Sequence, residues 1–107
     1  MKDNNPLIQV SMQIILHAGD AHNNADEAIN LAESGKIPEA EAKLKEAEED
    51  ITKAHEAQTK VIQEEMSGTN YEPCLLFNHA QDTLMTTASE LRMVKRLIKI
   101  YKKLDNQ

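Results

Sequence analysis

The chain has 107 residues and a formal net charge of −6, enough for one domain with one hydrophobic core spanning 1–107. Aromatic residues make up only 3% and tryptophan is absent, which disfavours a β-sandwich or a ligand-enclosing barrel and favours closely packed helices, an all-α class. The acidic balance lacks the basic footprint that neutralises a phosphate backbone, so no nucleic acid partner is expected.

Pro6, following Asn4 and Asn5, reads as a first-turn proline that opens a helix over 6–33, closed by Ser34-Gly35. Its inward stripe is Ile8, Ser11, Ile15, Ala18, His22, Ala25, Ile29 and Ala32, widened by Leu7, Ile14, Ala21 and Ala28. Gly19 costs about 1 kcal/mol of helix propensity relative to alanine, which close approach of a neighbouring backbone would offset. Met1 to Pro6 is polar and does not read as a signal peptide, and no apolar run is long enough to span a bilayer. The single Cys74 cannot pair within the chain, so a reducing, cytoplasmic setting is expected.

Pro38 marks a second helix over 38–66, with apolar or small residues at Ile37, Ala40, Leu44, Ala47, Ile51, Ala54 and Val61. The seam turns polar at Gln58, near His55. The charged outer run from Glu39 to Lys53 reads as a solvated face with local ion pairs. Ser67-Gly68-Thr69-Asn70 then supplies a turn before Pro73 and a third helix over 74–104. Two short connections predict an up-down-up antiparallel three-helix bundle. This places the start of the third helix beside the end of the second and the start of the first.

The third helix carries two stripes. One reads Phe77, Ala80, Leu84, Thr87, Leu91, Val94, Ile98 and Tyr101; the other reads Leu75, His79, Asp82, Thr86, Ser89, Met93, Leu97, Ile100 and Leu104. A three-helix bundle uses only one stripe of its last helix, so the second implies another protein surface, most simply copies of the same chain. Basic residues Lys95, Arg96, Lys99, Lys102 and Lys103 close this helix, where cations complement its dipole. Cys74, at the helix start, reads as a small packing residue.

His79 and Asp82 lie three residues apart and so share a face. A carboxylate in a seam needs a partner. On a three-fold axis, three copies of Asp82 would need protons or a shared cation, and an all-oxygen set favours a hard ion such as magnesium. No Glu-x-x-His pair, His-Glu-x-x-His motif, phosphate-binding glycine loop or serine nucleophile motif occurs. A histidine acting as a nucleophile toward phosphorus is what remains of catalysis. Two other readings stand beside it: a non-catalytic trimeric helical adaptor with a structural metal site, and a transition-metal bundle using His55, His79 and Asp82.

The runs His79-Ala80-Gln81-Asp82-Thr83-Leu84-Met85-Thr86-Thr87, Ala54-His55-Glu56-Ala57-Gln58-Thr59 and Ala18-Gly19-Asp20-Ala21 resemble the lactose/cellobiose-type enzyme IIA of the bacterial phosphoenolpyruvate-dependent sugar phosphotransferase system. The resemblance covers essentially the whole chain. It implies a three-helix subunit assembled as a homotrimer through its third helix. It implies that His79 is a phosphohistidine, accepting a phosphoryl group from HPr and passing it to the cognate IIB component, with the membrane IIC component involved only indirectly. It implies that Asp82 of three subunits binds one Mg2+ on the trimer axis, and it offers Gln81 as an amide support for the site. The transported sugar would be a β-linked disaccharide such as cellobiose, chitobiose or lactose. Family members commonly carry a second histidine directly after the aspartate; here that position is Thr83.

Overall fold

The computed structural model describes residues 5–106; Met1 to Asn4 of the polar leader, and Gln107, lie outside the described residues. Three helices follow one another: α1 (Pro6–Glu33), α2 (Ile37–Met66) and α3 (Leu75–Asp105). The bundle is long and thin, 58 × 25 × 16 Å. Asn5 caps α1, its side-chain oxygen accepting from the Leu7 amide at 2.9 Å, and Pro6 follows in the first turn. Cys74 is extended at the N-cap of α3 (φ −137°, ψ 111°), so this helix starts two residues beyond Pro73. Cys74 is half-buried and packs against the core.

Both reversals use the same device. Gly35 (φ 79°) and Gly68 (φ 108°) are left-handed. Around them the Lys36 amide donates to Leu31 O (2.9 Å) and the Gly35 amide to Ala32 O (3.0 Å), while Thr69 donates to Glu64 O (3.0 Å) and Gly68 to Glu65 O (3.1 Å). These are paired Schellman closures, and each needs a residue that tolerates positive φ. They turn the chain within a few residues and make consecutive helices antiparallel.

The core is largely alanine along α1. Ala18, Ala21, Ala25, Ala28 and Ala32 are all buried, and the last four cluster with Ala40, Leu44 and Ala47 of α2. Small side chains let these two helices run close together. At the other end Leu7, Ile14, Ala54, Val61, Phe77, Ala80 and Leu84 form a second cluster, with Ile51 packing against both. The inward face of α1 combines Ser11, Ala18, Ala25 and Ala32 of the expected stripe with the residues expected to widen it, Leu7, Ile14, Ala21 and Ala28, whereas Ile8, Ile15 and Ile29 are half-buried and His22 is exposed. The expected close approach at Gly19 does not occur within one chain, where an added Cβ would meet nothing within 4 Å among the described residues.

Both stripes of α3 are real. Phe77, Ala80, Leu84, Thr87, Leu91, Val94 and Ile98 are buried, whereas Leu75, Met93, Leu97, Ile100 and Leu104 are exposed at 43–84%. Met12 and Leu16 of α1 are also exposed, at 58% and 62%.

Charged side chains tie the helices together at the surface. Lys43 of α2 pairs with Glu27 of α1 at 3.1 Å and with Glu46 at 3.0 Å; Lys95 and Lys102 of α3 reach Glu48 and Glu41 of α2 at 3.6 and 3.4 Å. The α2 charge run is therefore partly an inter-helix ion-pair network, and the basic run of α3 feeds it. His22 of α1 meets Glu90 of α3 at 2.7 Å and Asp26 at 3.5 Å. The hydrogen bond and charge of Glu90 raise the His22 pKa above its ordinary value, with a smaller contribution from Asp26. A raised folded pKa stabilises the fold fully below the unfolded value near 6.5, and this stabilisation is lost as pH rises through the folded value. Because the pair is solvent-exposed, the loss should be only about 0.2–1 kcal/mol. Urea midpoints taken across this range should fall for the wild type and stay flatter for Glu90→Gln.

Candidate functional site

The start of α3 places the expected residues at one end of the bundle. The Gln58 amide of α2 donates to the Gln81 side-chain oxygen of α3 at 2.9 Å, fixing the height at which the two helices meet. Asn5, at the head of α1, reaches Glu72 O at 3.4 Å, and His22 reaches Glu90. Both contacts join residues 67 or 68 apart in sequence, so α1 and α3 run parallel with a constant offset. His79 accordingly lies level with the first two turns of α1.

His79 is exposed on the fifth residue of α3. Helical side chains lean toward the N-terminus, so a side chain at this position is directed toward the first turn, whose amides have no helical carbonyl to bond. Cys74 gives no side-chain cap there and no acidic residue occupies the first turn, and the positive end of a helix dipole favours an anion. An exposed ring nitrogen beside an uncapped helix start can take up a group carrying negative charge.

Asp82 is exposed one turn further on, on the same outward face as Met93, Leu97 and Ile100. Among the described residues no cation lies within ion-pair distance of its carboxylate. Its backbone oxygen accepts from the Thr86 hydroxyl at 2.9 Å. A carboxylate standing clear of its own chain, in line with an exposed apolar seam, is the kind of oxygen donor that a hard divalent ion shared between copies would use.

Gln81 and Thr83 each have a hydrogen-bond partner within the chain. Gln81 is two residues from His79, roughly 200° around the helix at 100° per residue. Its side-chain oxygen is held by Gln58, and within one chain it braces α3 against α2. Thr83 donates its hydroxyl to the His79 carbonyl at 2.9 Å, so in this rotamer its proton is directed at the backbone of its own helix.

His55 lines a shallow depression on α2 with Thr52, Glu56, Thr59, Lys60 and Gln63, without any residue of α3. His55, His79 and Asp82 do not converge. Among the described residues the cluster with metal-ligand spacing is instead His22, Asp26 and Glu90. The sequence contained half of its signal, a histidine and an aspartate one helical turn apart, but no local pattern connects them to Glu90, 68 residues from His22. The exposed pair Met12 and Leu16 was likewise hidden, because a scattered apolar residue on a helix flank is ordinary.

Comparison with known proteins supplies the context for this arrangement. The family model for the phosphotransferase system lactose/cellobiose-specific IIA subunit matches residues 9–102. The lichenan-specific phosphotransferase enzyme IIA component of Bacillus subtilis is 42% identical, over 97% of this chain and 94% of that protein. The cellobiose-specific enzyme IIA from Bacillus anthracis superposes with a TM-score of 0.89 at 37% identity, covering 95% of this chain and 94% of the other. The IIA(chitobiose) protein of Escherichia coli, solved in complex with HPr, superposes with a TM-score of 0.79 at 29% identity, covering 92% and 95%. An exposed histidine at the head of the third helix is thus found in a chain that belongs to the lactose/cellobiose-specific IIA family of the phosphotransferase system.

Proposed function

We propose that His79 is the residue on which this IIA component carries its phosphoryl group, taking it from HPr and passing it to the cognate IIB component. What supports the reading is an exposed histidine on the fifth residue of α3, one turn beyond a helix start that the Cys74 side chain does not cap. One ring nitrogen of His79 attacks phosphorus, the P–N bond to the HPr imidazole breaks, and its electron pair returns to the departing ring nitrogen. The exchange is between two like nitrogens, so positioning and electrostatics supply most of what the protein must contribute. A phosphoryl group with roughly −1.5 to −2 charge would rest near the amides of α3's first turn. Gln81 supports the site indirectly, through the α2–α3 contact with Gln58 that holds α3 at this height. Incubation with enzyme I, HPr and labelled phosphoenolpyruvate tests the reading: acid-labile label should appear on this chain.

The setting is the cytoplasm, in keeping with the absence, among the described residues, of a helix long and apolar enough to cross a membrane. The sugar is a β-linked disaccharide or a related β-glycoside, in line with relatives named for lichenan, lactose and cellobiose. Its identity is read by the membrane component, with which this chain deals only through IIB.

The active assembly is a homotrimer built on the outward stripe of α3, with Asp82 of each subunit facing the axis. Magnesium bound there by three carboxylates would neutralise their mutual repulsion. Chelation with EDTA should therefore weaken the trimer of the wild type. Asp82→Asn removes the repelling charges along with the ligands, so its trimer should no longer respond to EDTA. Sedimentation velocity with and without chelator checks both.

A further inference from the structure

Midway along the bundle, away from His79, three potential ligands from two helices meet. His22 and Asp26 stand one turn apart on α1, and Glu90 reaches them from α3; their ligating atoms all lie within 4.8 Å of one another. The imidazole sits between the carboxylates, with Nδ1 2.7 Å from Glu90 Oε1 and Nε2 3.5 Å from Asp26 Oδ2. We propose that His22, Asp26 and Glu90 form a binding site for a divalent transition-metal ion such as Zn2+, which clips α1 to α3.

The donor set argues for the class of ion. Zinc accepts imidazole nitrogen and carboxylate oxygen at about 2.0–2.2 Å, and donors already this close need only side-chain rotation to converge on one centre. Two carboxylates with a neutral imidazole carry a charge of −2 and bind a dication favourably. One nitrogen among the oxygens selects borderline metals over magnesium, which prefers an all-oxygen octahedron. The side chains are 47%, 62% and 37% exposed for His22, Asp26 and Glu90, so the site is open to solvent and water can complete the coordination. All three ligands belong to one chain, so the inference depends neither on phosphoryl transfer nor on assembly.

The test uses the full-length protein freed of metal by chelator and dialysed. Titration with Zn2+ by calorimetry should give one ion per chain, which a tenfold excess of Mg2+ does not displace, and Co2+ should give a visible d–d absorption band on binding. His22→Gln should abolish the band and weaken Zn2+ binding at least about tenfold, a loss that removal of a mere supporting hydrogen bond can reach. Glu90→Gln should weaken it in the same direction, whereas His55→Gln should bind as the wild type does. Circular dichroism checks whether each variant keeps its helices, and the Glu90 variant keeps the test decisive if the His22 variant is misfolded. Wild-type protein that takes up no Zn2+, binding by His22→Gln as tight as the wild type, or loss of the ion in His79→Gln instead, overturns the proposal.

Discussion

Replacing His79 by alanine should eliminate phosphoryl acceptance while leaving the fold essentially unchanged. Removing a covalent nucleophile costs roughly a million-fold in rate, so label transferred from HPr should fall below detection. Stability should move by no more than about 0.5 kcal/mol, because an exposed side chain without packing duties contributes little, and His79 is exposed. This separation of effects distinguishes a carrier residue from a structural one. His55→Ala is the matched control: it removes an exposed imidazole from the neighbouring helix, on a depression that does not include α3, and should accept label normally. If neither wild type nor variant is labelled while HPr itself is phosphorylated, the phosphocarrier reading fails and a helical adaptor is left.

Much of this architecture was legible in the sequence because local signals agreed with one another. Pro6, Pro38 and the glycines at Gly35 and Gly68 fall where helices must open or close, and the paired Schellman closures show why glycine was needed at both. The two stripes of α3 were readable because a helix repeats every three or four residues, and burial divides them as the pattern requires. The placing of α1 was less readable. Alanine is tolerated on either face of a helix, so an alanine-rich segment leaves the rotation of the buried stripe ambiguous, and His22 was set inward when its true partner is Glu90. Gly19 misled for a related reason: a missing side chain does not reveal which neighbour, if any, approaches it.

At the site the limit was different. The spacing of His79 and Asp82 gave their common face, and the Gln58–Gln81 hydrogen bond bears out the height inferred from connectivity. What spacing could not reveal was the engagement of each polar group. Gln81 accepts from Gln58 of α2 through its side-chain oxygen, and the Thr83 hydroxyl is directed at the His79 carbonyl. The outward face of α3 is where the missing surroundings would be supplied, since Asp82, Met93 and Ile100 all lie there uncovered by their own chain.

Ile100→Glu should accordingly convert the proposed trimer into a monomer. Ile100 is 53% exposed in the single chain and lies on the outward stripe with Met93, Leu97 and Leu104. In the assembly it would be covered by two other copies, and a glutamate there would place three carboxylates around one axis. Each unpaired buried charge costs several kcal/mol, and their mutual repulsion adds to this. Sedimentation velocity should show the mass falling to one third at micromolar concentration. The monomer should remain helical, because the opposite stripe of α3, from Phe77 to Ile98, is buried against α1 and α2 of its own chain. Met66→Glu supplies the contrast: Met66 is 82% exposed at the end of α2, off the α3 seam, and the same charge there should leave the trimer intact. Dissociation by both variants would point to charge alone, and by neither to an assembly that does not use this stripe. Ile100 is 21 residues beyond His79, about 31 Å along the helix at 1.5 Å per residue. A monomer that no longer accepts phosphate would therefore have lost something a neighbouring copy provides, because the substitution is too distant to disturb the imidazole directly.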